Sequence, residues 1–322
     1  VMEAGYALVK FDENDGCQNI TIKNCSITLT KNVNYSTGFF PCGIYQAHRY
    51  PNGGTMPNLM SSTSGAQSNN KFYNNTIKKV RTGIYLIGYN ASTPYFLYDQ
   101  NNDIGGSTYA MGNVIQNFSD SIYGGYGMLL GFQNNLNICY NRINNSAGGG
   151  IATPYTSGIS FSSSNNASVS LSNNKITLAI ARYTSTSDGA IMSSISGTGT
   201  ITMQYDTITG CSISPTLSSS DNYNMVSLGS PGKIYFQNCY IGNNTISSLN
   251  TITYFGFTAS ADLSFKNNFF GLQSVCNISV ITSLFIIKLI KLAYLIFTKT
   301  FNIRIRFRCY NTYSKRQGKR QT

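Results

Sequence analysis

Tryptophan is absent from the 322 residues, histidine occurs once, and charged side chains make up only 11%, against about 25% in an ordinary globular chain. Each shortage excludes something. There is no C-x-x-C pair, and His48 is the only histidine, so the zinc and thioredoxin-type readings are weak. The eight cysteines read as small buried hydrophobes, with a Cys17–Cys25 disulfide as the alternative in an oxidising compartment. The eleven acids are scattered along the chain, with no Asp-Asp pair, and acids that do not converge cannot share acid/base work.

The net charge of +12 is not spread evenly. Residues 284–322 hold ten Lys or Arg and no acid, whereas residues 1–283 hold thirteen against eleven acids. The body is almost neutral and has no basic stripe, which argues against a nucleic-acid partner.

What the chain does have is Asn, Ser, Thr, Gly and Tyr, a β-rich and turn-rich composition. One pattern recurs: apolar, x, apolar, x, Asn, Asn, x, apolar. Ile20 to Ile27, Val169 to Ile176, Ile234 to Ile241 and Leu263 to Phe270 carry it well. Asn70 to Ile77, Leu136 to Ile143 and Ile201 to Ile208 are looser copies, and Asn113 to Asp120 is the weakest. From residue 136 onward the copies start 33, 32, 33 and 29 residues apart. A Gly followed by alternating apolar residues comes after each copy, as in Gly43-Ile44, Gly83-Ile84, Gly127-Met128 and Gly158-Ile159. Each period therefore holds at least two short strands. One period cannot bury its apolar positions alone, but stacked periods can. Asn at the strand end tolerates left-handed backbone, and stacked Asn side chains can bond from coil to coil.

This repeat resembles that of the right-handed parallel β-helix proteins of the pectin-lyase-like superfamily, over about residues 15–272. The resemblance implies an all-β solenoid of about eight coils, residues 1–275, truncated at its N-terminus, with a C-terminal tail outside the β-helix. It also brings to mind repeat regions of large secreted bacterial surface proteins. Carbohydrate-active members place acids, a His or an Arg/Lys base on one outer face. No such motif carries over residue by residue, so no catalytic residue and no metal ligand is assigned.

The tail, residues 276–322, changes texture. Residues 280–297 form an aliphatic run interrupted by Lys288 and Lys291, followed by a basic segment. A membrane-spanning reading must accept about 2.5–3.5 kcal/mol for each lysine near the bilayer centre. An interfacial amphipathic helix, a disordered tail and a frameshifted end are the alternatives.

Two long insertions, residues 49–69 and 88–112, leave the repeat at the same point, after the Gly-Ile strand, and so should lie side by side. They supply the candidate ligand-binding residues Arg49, Tyr50, Tyr89, Tyr95, Tyr98, Asp99 and Asp103, with aromatic faces suited to sugar rings. Asp99-Gln-Asn101-Asn-Asp103 has the spacing of a calcium loop, but Ile104 and Ala110 stand where that loop needs Gly and Glu. It reads as a polar loop, with calcium as the alternative and no other cofactor implied. The functional expectation is a non-catalytic, structural or adhesin-like module, secreted or on a bacterial cell surface and monomeric within a longer chain. Its expected partner is a polysaccharide or cell-surface glycan. The rival is a polysaccharide lyase or glycoside hydrolase.

Overall fold

The computed structural model describes residues 4–30, 40–51, 54, 56, 60–91, 95–120, 124–146, 156–180, 189–213, 223–246, 252–259, 262–270, 276–282 and 306–309. The chain is all-β, with three short 3₁₀ turns among the described residues. Three long sheets, parallel throughout, run the length of the molecule. The first has ten strands and begins Ala4–Leu8, Cys42–Ala47, Thr82–Ile87 and Gly125–Gly131. The second has eight and includes Lys71–Tyr73, Asp103–Ile104, Leu136–Cys139, Val169–Ser172 and Thr200–Gln204. The third also has eight and includes Thr76–Lys78, Val114–Gln116, Arg142–Asn144, Lys175–Thr177 and Thr207–Thr209. The chain visits the sheets in rotation, which is the arrangement of a parallel β-solenoid.

The register explains the repeat. In the first sheet Ile44, Ile84, Met128, Ile159, Ile191 and Val226 stand in one column. In the second, Ile22, Phe72, Ile104, Ile138, Leu171, Met203 and Phe236 do so. In the third, Ile27, Ile77, Ile115, Ile143, Ile176, Ile208 and Ile241 do so. All belong to one buried cluster. Burying such a side chain fully contributes about 1.5–3 kcal/mol. The repeated glycine now has a reason. A Cβ on Gly43 or Gly83 would lie 2.3 Å from Ile77 Cγ2 or 2.6 Å from Ile115 Cγ2, so in these coils glycine lets the third sheet's isoleucines press against the first sheet's backbone, while Ala190 and Met225 fill the same column further on.

The Asn pairs divide their labour. The first member takes left-handed backbone, as at Asn24 (φ 60), Asn74 (φ 48), Asn173 (φ 58), Asn238 (φ 53) and Asn267 (φ 53). The second member points inward and forms a ladder with one rung per coil. The backbone N–H of each rung donates to Oδ1 of the next: Cys25 to Asn75 at 3.1 Å, Asn75 to Asn113 at 3.0 Å, Asn113 to Asn141 at 3.1 Å, Asn141 to Asn174 at 3.0 Å, and Asn174 to Asp206 at 2.9 Å. The Nδ2 groups of Asn75, Asn113, Asn141 and Asn174 donate to the same acceptors. Their second hydrogens go back to the carbonyls of Ile22, Phe72, Ile104 and Ile138. Each buried amide is thus fully used, which removes the usual cost of a polar core group.

One expectation changes. The third coil's strand in the second sheet is Asp103–Ile104, inside the segment read as an insertion, and Asn113 is the ladder rung that follows it. The weak copy at 113–120 was therefore misregistered. Its Val114-Ile115-Gln116 belongs to the third sheet, and six extra residues between Ile104 and Asn113 hide the normal spacing, since Ile138 and Asn141 in the next coil are only three apart. The residues after each Asn pair form a third sheet of their own, a third strand in a period read as holding at least two. The first sheet includes strands Cys276–Thr282 and Arg306–Cys309. The rest of the apolar and basic tail lies outside the described residues. No helix among the described residues is long and apolar enough to cross a membrane. Cys17 and Cys25 are both free thiols.

Candidate functional site

The two insertions do meet. Met60, Ala66, Ala91, Leu97 and Tyr98 form a satellite core with Ala167, and Tyr89 and Phe132 pack against it. Tyr98 is 1% exposed and its ring lies 5.7 Å from that of Phe132. Tyr89 and Tyr50 are half-buried, with Tyr89 tilted against the His48 ring at 5.0 Å. Arg49 is half-buried, and its guanidinium acts electrostatically on Tyr45 and Tyr85. The Tyr95 side chain lies outside what is described.

Asp99 and Asp103 face opposite ways, although only three residues separate them. Asp99 is 1% exposed. Its Oδ2 accepts from Gln46 Nε2 and Gln133 Nε2, both at 2.9 Å, and its Oδ1 from the Gln67 N–H at 2.8 Å. Burial raises its carboxyl above the ordinary aspartate value, while these donors and Lys10 pull it back. Lys10 is also buried. Its Nζ lies 2.8 Å from His48 Nδ1 and donates to Met60 Sδ at 3.5 Å. Burial lowers the lysine, and Asp99 leads the charges opposing that shift. This network welds the insertions to the first coils.

Asp103 faces outward. Its Oδ2 accepts from Tyr73 Oη at 3.1 Å and its Oδ1 from Asn137 Nδ2 at 2.9 Å. Burial, then Asp103, pushes the Tyr73 phenol up to about 12. Asp103 lines an open groove of about 380 Å³ on the outer face of the second sheet. Two rows of short polar side chains form the groove: Asn101, Asn135, Ser168 and Thr200 in one, Asp103, Asn137, Ser170 and Thr202 in the other. The Asn135 amide donates to Asn101 at 3.4 Å. Parallel pairing spaces successive members at about 4.8 Å.

Of the residues singled out in the sequence, Asp103 alone lines this groove; Tyr89, Tyr98 and Asp99 gather at the insertions instead. The groove residues carried a signal that was passed over. They are the outward positions of the repeat, Asn135-x-Asn137, Ser168-x-Ser170 and Thr200-x-Thr202. Among the described residues no group of three or more His, Cys, Asp or Glu is placed to hold a metal ion. The Asp99–Asp103 segment is a coil turn with Asn101 left-handed (φ 56), which accounts for its loop-like spacing.

The chain matches no protein-family model, and comparisons with curated proteins and with solved structures give no match.

Proposed function

We propose that this chain is a non-catalytic module of a secreted or cell-surface bacterial protein, built as a right-handed parallel β-helix of about eight coils of the pectin-lyase-like kind, and that it holds glycan in the polar groove. The observation that carries this reading is the groove itself, with its two rows of amides and hydroxyls around a single carboxylate. Such groups exchange hydrogen bonds with sugar hydroxyls in either direction. The scaffold beneath them is rigid, since each of the four strands under the groove, Asp103–Ile104, Leu136–Cys139, Val169–Ser172 and Thr200–Gln204, is paired on both sides.

The rival lyase or hydrolase reading needs Arg49, Arg81, Asp99 and Asp120 gathered on one outer face. Asp99 and Asp120 are each 1% exposed, and the Arg81 guanidinium lies over the Phe40 ring at 5.0 Å. These placements favour binding over catalysis.

The test is a glycan array with the full chain, the groove variant Asn137→Ala/Thr202→Ala and the insertion variant Tyr50→Ala/Tyr89→Ala. The expected result is wild-type binding, lost at least tenfold in the groove variant only. Binding that only the insertion variant loses would move the site to the aromatics, and a wild type that binds nothing would overturn the reading. Release of new reducing or unsaturated ends from a bound glycan would replace it with the rival.

A further inference from the structure

The Asn ladder contains one acid. Asp206 is a buried rung between Asn174 and Cys239, and it stands where five of the other coils carry Asn. Its Oδ1 does what an Asn Oδ1 does, accepting from the Asn174 backbone N–H and from Asn174 Nδ2, both at 2.9 Å. Its Oδ2 makes no hydrogen bond. In every amide rung that second position is a nitrogen. It donates to a carbonyl of the preceding coil, as Asn174 does to Ile138 and Asn268 does to Phe236. The same register sets the Asp206 position opposite the Leu171 carbonyl, since Leu171 follows Ile138 in its column. The next rung, Cys239, offers no side-chain oxygen or amide. An ionised Asp206 would therefore set oxygen against oxygen in a buried site.

We propose that Asp206 is a protonated rung whose carboxylic-acid O–H donates to the Leu171 carbonyl, and that loss of this proton loosens the ladder between strands Val169–Ser172 and Thr200–Gln204. The ladder thus carries a pH-sensitive joint. It lies beneath one end of the groove, because Thr200 and Thr202 belong to the strand that leads into Asp206. The surroundings agree. Burial raises the Asp206 carboxyl to about 7, against the pull of the Asn174 amides and the Gln204 N–H. The titratable groups on which it acts are the thiols of Cys139 and Cys239. Burial raises both, which keeps them neutral, and no cation contributes to the Asp206 shift.

The sign of the effect is definite. The folded value of about 7 lies above the ordinary 3.8, so the folded state holds a proton that the unfolded state releases. Stability is greatest below about pH 4, falls as pH rises toward 7, and is flat above that. Denaturant unfolding of wild type and Asp206→Asn from pH 4 to 9 tests the joint. The expected result is a wild-type unfolding constant that climbs, relative to the variant, by up to about tenfold per pH unit until pH 7. Parallel pH profiles would overturn the proposal. Wild-type protein carrying ¹³C-labelled aspartate gives a second reading that does not depend on the variant folding. The Asp206 carboxyl, assigned apart from that of buried Asp99, still protonated at pH 6 supports the joint. If the Asp206 carboxyl is ionised at pH 6, the proposal fails.

Discussion

The amide oxygen of Asn141 receives two hydrogen bonds from Asn113, one from the backbone N–H at 3.1 Å and one from Nδ2 at 2.9 Å. Asn141 returns the arrangement downward, its own Nδ2 bonding Asn174 and the Ile104 carbonyl. Asn141→Ala therefore strands a buried N–H, a buried amide hydrogen and a buried carbonyl together. The expected loss is about 2–4 kcal/mol by denaturant unfolding. A loss below about 0.5 kcal/mol would show that the ladder is not a main source of stability.

The left-handed turn position is filled by Asn in most coils but by Tyr140 (φ 59) and Tyr205 (φ 58) in two, and the Tyr205 side chain is 56% exposed. A non-glycine, non-Asn residue is strained there by about 1–2 kcal/mol. Tyr205→Asn is expected to raise the melting temperature, with a gain of about 0.5–1 kcal/mol. The converse exchange, Asn173→Val at φ 58, is expected to cost about 1–2 kcal/mol. Thermal melts of both variants check the pair, and equal melting temperatures would contradict the assignment.

A Cβ at Gly83 would meet the Gly127 carbonyl oxygen at 2.4 Å and Ile115 Cγ2 at 2.6 Å. The first obstacle is backbone in the next coil, which cannot swing aside. Gly83→Ala is expected to destabilise by about 1–3 kcal/mol through overpacking. Gly210→Ala makes a useful contrast. Its Cβ meets nothing closer than Thr177 Cγ2 at 3.6 Å, and only its φ of +66 opposes the change. Its loss should be smaller, and the two midpoints in urea give the comparison.

Burial pushes the thiols of Cys211 and Cys239 up to about 12 and raises that of fully buried Cys42 as well. A thiol held protonated and covered is a poor nucleophile. In the folded protein at pH 8 these three should resist a disulfide reagent, whereas half-buried Cys25 should react first. Labelling followed by peptide mass spectrometry reads this out. Early modification of Cys42 would mean that the first coils open readily.

The apolar-x-apolar-x-Asn-Asn pattern could be read directly because a stacked fold writes its tertiary contacts into a local period. The columns of Ile and Leu, the left-handed Asn and the repeated Gly are each a demand that every coil makes again. The same regularity made the outward pairs Asn135-x-Asn137 and Thr200-x-Thr202 visible as a pattern, but their meaning was not. A polar residue facing solvent needs no explanation until its neighbours from other coils are placed beside it.

By itself, the sequence determined the solenoid, its period and which face of each strand is buried, because one coil can bury its apolar positions only by repeating them. Tertiary structure alone decided where the irregular parts go. It set Asp99 inward among Gln46, Gln67 and Gln133 and Asp103 outward into the groove. It also gave the third coil its strand at Asp103–Ile104 and put Asp206 in an amide's place on the ladder. The physical reason is common to all of these. Whether a side chain points in or out, and what it meets there, depends on pairing with coils about thirty or more residues away, and no local pattern encodes that register where an insertion breaks the period.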